Sequence, residues 1–291
     1  KKEHKPFKAS DLKLALEANE VSVENAHIDL LDRRQMTHLL FDRVKIALKA
    51  LDVTPDDLAH HNTCNLELGG SIRLEKTDVS QVLVNCSLEG TGIIKPFDPE
   101  SGEWFPDYAV ELTIAKGSLL GGTLIKDQMR GKDAEKLAEY GIDLGDLALG
   151  GVLGQDASTE VHLAKGKLIV KKDTRLNFPQ YEIALSGGSW FNSGADSHIA
   201  RGELVVSQEV SASILEQAQK KLAEKYGDTI ASLACQAVVT VLEDDQKRMV
   251  IKFKSRGSLS KPEISWDNPL NDLKDLMKDA GASLLNGILN K

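Results

Sequence analysis

Apolar and polar residues alternate through most of this 291-residue chain. Leu12, Leu14 and Leu16 precede a polar break, Glu17 to Glu20, after which Val21, Val23, Ile28 and Leu30 resume the alternation. That pattern predicts a hairpin with one apolar face. Val44, Ile46 and Leu48 continue it. Leu66 and Leu68, then Gly69-Gly70, then Ile72 and Leu74 predict a tight hairpin turning on the two glycines. Val82, Val84, Cys86 and Leu88 follow, then Val110, Leu112 and Ile114. Further on come Val161 and Leu163, Leu168 and Val170, Tyr181, Ile183 and Leu185, and Leu204 and Val206. Val239 and Val241 predict a last hairpin, joined across Asp244-Asp245-Gln246 to Met249, Ile251 and Phe253.

These runs amount to about a dozen strands of ordinary length. One apolar and one wet face per strand is the mark of an antiparallel sheet, because parallel strands read as continuous apolar runs. Helices do not follow the strands regularly, which argues against doubly wound and TIM-barrel folds. Three helices interrupt the pattern. Asp133 to Tyr140 is short and polar. Val210 to Tyr226 carries a stripe of Ile214, Ala218 and Leu222, with Gly227 as C-cap. Pro269 to Asn290 carries Leu270, Leu273, Met277, Ala280 and Leu284 behind an Asn268 N-cap. The expected fold is mainly β with α (α+β). It is a long curved antiparallel sheet or meander with two or three amphipathic helices packed on its apolar face. It forms one elongated unit over 1–291, weakly divided near 129–156.

Composition changes this picture little. Hydrophobic residues make up 41% and charged residues 27%, an ordinary globular balance. With 36 Lys+Arg against 44 Asp+Glu, the net charge of −8 argues against a general nucleic-acid binder. No apolar run reaches the roughly 18 residues of a membrane-spanning helix. The chain opens on Lys1-Lys2-Glu3-His4-Lys5-Pro6, without an initiator Met. We read this start as a processed product whose natural N-terminus, with any anchor, lies upstream.

Chemistry-bearing motifs are few. His60, His61 and Cys64 form an H-H-x-x-C cluster, but no complementary ligand pair lies nearby in sequence, and solvated loop residues explain it better than a metal site. Cys86 and Cys235 sit in apolar runs and read as small buried hydrophobes. Cys64 and Cys86 are candidates for a cross-strand disulfide if their Cα atoms lie about 5.5–6 Å apart. No G-x-S-x-G occurs, and Ser186-Gly187-Gly188-Ser189 reads as a hairpin turn. The acidic pairs Asp56-Asp57 and Asp244-Asp245 read as turns. The glycines between Gly117 and Gly122, and between Gly150 and Gly154, lack the Gly-Lys-Ser/Thr ending of a phosphate loop. No catalytic residue, metal site or cofactor is assigned. A sheet with one apolar face must close on itself, bury helices, or hold apolar ligands in a groove. The inward residues of such a groove are Leu112, Ile114, Val161, Leu163, Ile183, Leu185, Val239, Val241, Ile251 and Phe253.

Several segments resemble AsmA-like proteins. Glu20-Val21-Ser22-Val23-Glu24-Asn25-Ala26-His27-Ile28-Asp29-Leu30-Leu31-Asp32, followed by the Val- and Leu-bearing run Phe41 to Leu51, is similar to a recurring strand pair of that family. Leu112-Thr113-Ile114-Ala115-Lys116-Gly117 has the same style of strand end. Arg256-Gly257-Ser258-Leu259-Ser260-Lys261-Pro262-Glu263-Ile264-Ser265-Trp266-Asp267 is similar to the segment before the family's C-terminal amphipathic helix. The resemblance implies a periplasmic envelope protein of a diderm bacterium, tethered to the inner membrane by an N-terminal helix that this chain lacks. It also implies a role in outer-membrane maintenance by binding or passing phospholipid, or another acyl-chain ligand, along an apolar β groove. This chain is short for such a groove. The alternative is a scaffold that docks an envelope protein through an edge strand or the 269–290 helix.

Overall fold

The structure of the protein, a computed structural model, describes residues 5–33, 36–120, 151–164, 166–192, 194–258 and 262–266. After a single turn of 3-10 helix at Ala9–Asp11, five long strands run up and down. They are β1 (Leu16–Asp32), β2 (Thr37–Val53), β3 (Asn62–Lys76), β4 (Gln81–Phe97) and β5 (Trp104–Ile114). Each pairs antiparallel with its sequence neighbour. β6 (Leu119–Leu120) and β7 (Gly151–Val152) form a small ladder beside β4. β8 (Ala157–Ala164) pairs with β5, and β9 (Lys167–Val170) pairs with β8. The sheet continues through β10 (Thr174–Asn177), β11 (Tyr181–Leu185), β12 (Trp190–Asn192) and β13 (Ser197–Val206). β13 pairs with β12 along its first residues, with β11 along its last, and with β14 (Val250–Gly257) over most of its length. β15 (Pro262–Trp266) lies beside β14. All fifteen strands belong to one antiparallel sheet. Two helices, α1 (Gln208–Tyr226) and α2 (Asp228–Leu242), fill the connection from β13 to β14.

Two expected hairpins are instead uninterrupted strands. β1 runs through the polar break at Glu17 to Glu20, and β3 runs through Gly69-Gly70. Gly70 has φ +152°, and a Cβ there would meet Val44 Cα at 3.2 Å and the Asp42 carbonyl oxygen at 3.3 Å. The glycine therefore permits a close approach of β2, whose register shifts between Asp42 and Lys45. Asn25 and Arg43, at φ 55° and 51°, mark the same irregularity on β1 and β2. The Ser186 to Ser189 segment does turn, but it joins β11 and β12, which both pair with β13 and not with each other.

The helices also depart from expectation. α1 matches its expected span, with Ser207 Oγ accepting from Val210 N at its start and Gly227 at its end. Its stripe splits, however. Ile214 packs on the sheet core, while Ala218 and Leu222 are buried against Ala231 and Cys235 of α2. The hairpin expected from Val239 and Val241 does not exist, because both residues lie within α2. The expected helices at Asp133 to Tyr140 and Pro269 to Asn290 lie outside the described residues.

Apolar residues fill one continuous face. At the β10–β15 end, Tyr181, Leu204, Val206, Met249, Ile251 and Trp266 form a core with Leu153 and Leu242, against which Val210, Ile214 and Leu215 of α1 pack. Ser211 pins α1 here. Its hydroxyl donates to the Val206 carbonyl and accepts from Met249 N at 2.9 Å.

Candidate binding surface

The same face continues across the meander. Register places Val23, Ile46, Leu68, Gly90 and Leu112 in one transverse row. Val21, Leu48, Leu66, Gly92, Val110 and Val161 form the next. Leu30, Leu39, Leu74 and Val84 lie in a row nearer the other end. The period of two along each strand puts these side chains on one side, with the bulges of β1 and β2 offsetting the odd spacing from Val23 to Leu30 and from Leu39 to Ile46. Toward β3–β9 they make a second core of Cys64, Leu66, Ile94, Val110 and Val161, to which Leu48, Leu68, Leu112 and Leu168 add. Every residue of that core comes from a strand. Gly90 leaves the space that Leu68 and Leu112 occupy from either side: a Cβ would stand 2.7 Å from Leu112 Cδ2 and 3.1 Å from Leu68 Cδ1.

Toward β1 the face opens. Val21, Val23, Ile28, Leu30 and Ile46 are 43–54% exposed on it. Leu39, Phe41, Ile72 and Leu74 beside them are half-buried. A patch of neighbouring large aliphatics left in water is the feature of this molecule that most calls for a ligand.

The opposite face is polar and tied by charge. Lys49 Nζ donates to Glu67 Oε1 at 2.6 Å and Lys45 lies 3.8 Å from the same carboxylate. The contact with Lys49 holds the Glu67 carboxyl below its ordinary range. Near one end of the meander, His38 bridges Glu75 at 3.2 Å and Asp29 at 2.8 Å, so β1, β2 and β3 share one histidine. The hydrogen bonds to Glu75 and then Asp29 raise its pKa. His27 faces Asp42 at 3.4 Å, and His162 faces Asp107 at 2.5 Å.

The candidate groove residues divide. Leu112, Val161 and Leu163 face the apolar side of β5 and β8, with Leu112 and Val161 in the meander core. Ile114, Ile183, Ile251 and Phe253 join the core beneath α1. Leu185 is half-buried on β11. Val239 lines a small space with Ser211, Leu215, Leu242 and Met249, and Val241 is helical. The exposed aliphatics of β1 and β2 were not among the candidates, although the alternation of Val21, Val23, Ile28 and Leu30 already marked them. What was missing was the knowledge that β1 lies at an edge, where no further strand shields them.

The H-H-x-x-C cluster does not converge. His60 bonds Asp57 and His61 bonds Asp52, each at 2.8 Å, while Cys64 is buried in the strand core. Among the described residues no group of three His, Cys, Asp or Glu side chains is arranged to hold a metal ion. Cys64 and Cys86 do not pair. Cys64 lies opposite Ile94 and Cys86 opposite Ile72, which separates them by eight residues along β4, roughly 26 Å. Burial pushes both thiols above their ordinary pKa. Among the described residues no helix is long and apolar enough to cross a membrane. No family model, curated protein or solved structure matches this chain.

Proposed function

We propose that this chain is a non-enzymatic AsmA-like protein of the bacterial cell envelope that holds acyl-chain lipid, phospholipid first, against the open apolar face of its sheet. The resemblance supplies the setting: the periplasm, beside an inner membrane to which such proteins are tethered by an N-terminal helix, and a contribution to outer-membrane maintenance. The observation that carries the lipid reading is the row of exposed aliphatics Val21, Val23, Ile28, Leu30 and Ile46, continuous with the meander core. Four strands side by side span roughly 15 Å, room for a good part of one acyl chain. Each methylene removed from water there contributes about 0.8 kcal/mol. α1 packs over the other end of the same face, so it is the β1–β4 end that receives the ligand.

Native mass spectrometry and organic extraction of the purified chain test this reading. The expected result is co-purifying phospholipid, and a loss of about tenfold or more in the double variant Val23→Glu/Ile46→Glu. Both positions are about half exposed and face each other across β1 and β2, so the single variant Ile46→Glu, which sets no like charge against another, is read beside the double one and is expected to lose lipid as well. Lipid-free wild-type protein, or equal lipid in wild type and variant, would overturn it.

A further inference from the structure

The edge of the sheet at β1 makes a second surface, which shares Val21 and Val23 with the lipid patch. Among the described residues β1 pairs with β2 alone, so the backbone N–H and C=O groups on its other side have no sheet partner. Soluble proteins blunt such edges with short strands, proline, lysine or bulges. The far edges here follow that rule: β10 has four residues, and β15 has five and opens on Pro262. β1 has seventeen residues with no proline, lysine or arginine among them. Its bulge at Asn25 leaves Leu16–Glu24 extended, with one gap in its pairing to β2 at Asn19, opposite Ala50 at φ 51°. An edge this long and unguarded is a template for one more strand.

The side chains specify what that strand carries. Val21 and Val23 stand on the apolar face, and Glu20, Ser22 and Glu24 alternate onto the other. Glu17, Glu20 and Glu24 are exposed, and no described side chain forms a salt bridge with any of them. The nearest cations are already engaged: Lys49 with Glu67 and His61 with Asp52. A second copy of β1 is a poor occupant, because an antiparallel pair centred on Glu20 sets that carboxylate against its own copy and gathers six glutamates on two strands. A strand with lysine or arginine on one face and aliphatic residues on the other meets both patterns.

We propose that the edge of β1 along Leu16–Glu24 receives an extended, basic and aliphatic segment of another protein as an added strand. The probe is a synthetic peptide of about nine alternating lysine and valine residues, titrated onto the whole chain by fluorescence anisotropy and by hydrogen exchange. Binding that weakens with salt and slows exchange within Leu16–Glu24 is the expected result. The Glu17→Lys/Glu20→Lys/Glu24→Lys variant, altered only at exposed positions, binds the peptide about tenfold or more weakly, and a peptide with a central proline loses binding similarly. Exchange unchanged at Leu16–Glu24, or equal affinity for the proline peptide or the charge-reversed variant, overturns the proposal. So does concentration-dependent self-association that protects Leu16–Glu24 without peptide, which assigns the edge to a second copy. The Ile46→Glu variant, on β2, leaves every residue of β1 in place, so loss of lipid and loss of peptide binding are read separately.

Discussion

Gly92 sits where a methyl group has no room. A Cβ there would stand 2.2 Å from the Ala109 carbonyl oxygen and 2.8 Å from Val110 Cα, both backbone atoms of β5. Gly92→Ala must push β4 and β5 apart, and we expect it to destabilise the protein by about 1–3 kcal/mol in urea unfolding. Gly90→Ala should cost less, because the atoms in its way are the ends of Leu68 and Leu112 side chains. His38 is legible in the sequence only as one histidine among seven; its two carboxylate partners come from strands on either side. Its pKa is raised above the ordinary 6.5, so its contribution is full below that value and is lost as pH climbs through the raised one. Glu75 is held below its ordinary 4.5 by His38 and then Arg73, so its share is present above that value and lost as pH falls through the lowered one. The three-strand tie is therefore tightest between about pH 4.5 and 6.5, the ordinary values of the two groups. An NMR titration should give His38 an elevated pKa, and His38→Gln should flatten the pH dependence of β1 amide exchange between pH 6 and 8.

At the scale of elements, alternation located most strands and misjudged where two of them end. Gly69-Gly70 between apolar pairs has the local chemistry of a hairpin turn, and only the tertiary partner reveals its use. β2 bulges at Arg43 and needs a neighbour without a side chain. Gly70→Val should therefore destabilise by about 1–3 kcal/mol, through strain at φ +152° and contact with Val44 Cα and the Asp42 carbonyl oxygen. Thermal melts of this variant beside Gly69→Val, whose added Cβ makes only ordinary contacts at 3.8 and 3.9 Å, make the comparison. α2 misled in the opposite sense. Val238-Val239-Thr240-Val241 has strand propensity, yet it ends a helix that begins in Asp228-Thr229-Ile230-Ala231 and packs Ala231 and Cys235 on α1. Packing overrode local preference there.

Across the whole molecule, the apolar face was foreseeable and its exposure was not. Which row is core and which meets water depends on curvature and on which strand comes last, and the alternating pattern contains neither. The order of pairing has a further consequence, for the way the chain acquires its shape. From β1 to β5 every strand pairs with the one before it across a short connection, so each closure costs little chain entropy. β13 and β14 must instead find each other across the forty-three residues between Val206 and Val250, with both helices in between. Contacts of that separation are slow to form. The acidic edge of β1 is thus built early, on a nascent sheet whose opposite margin is still unfinished.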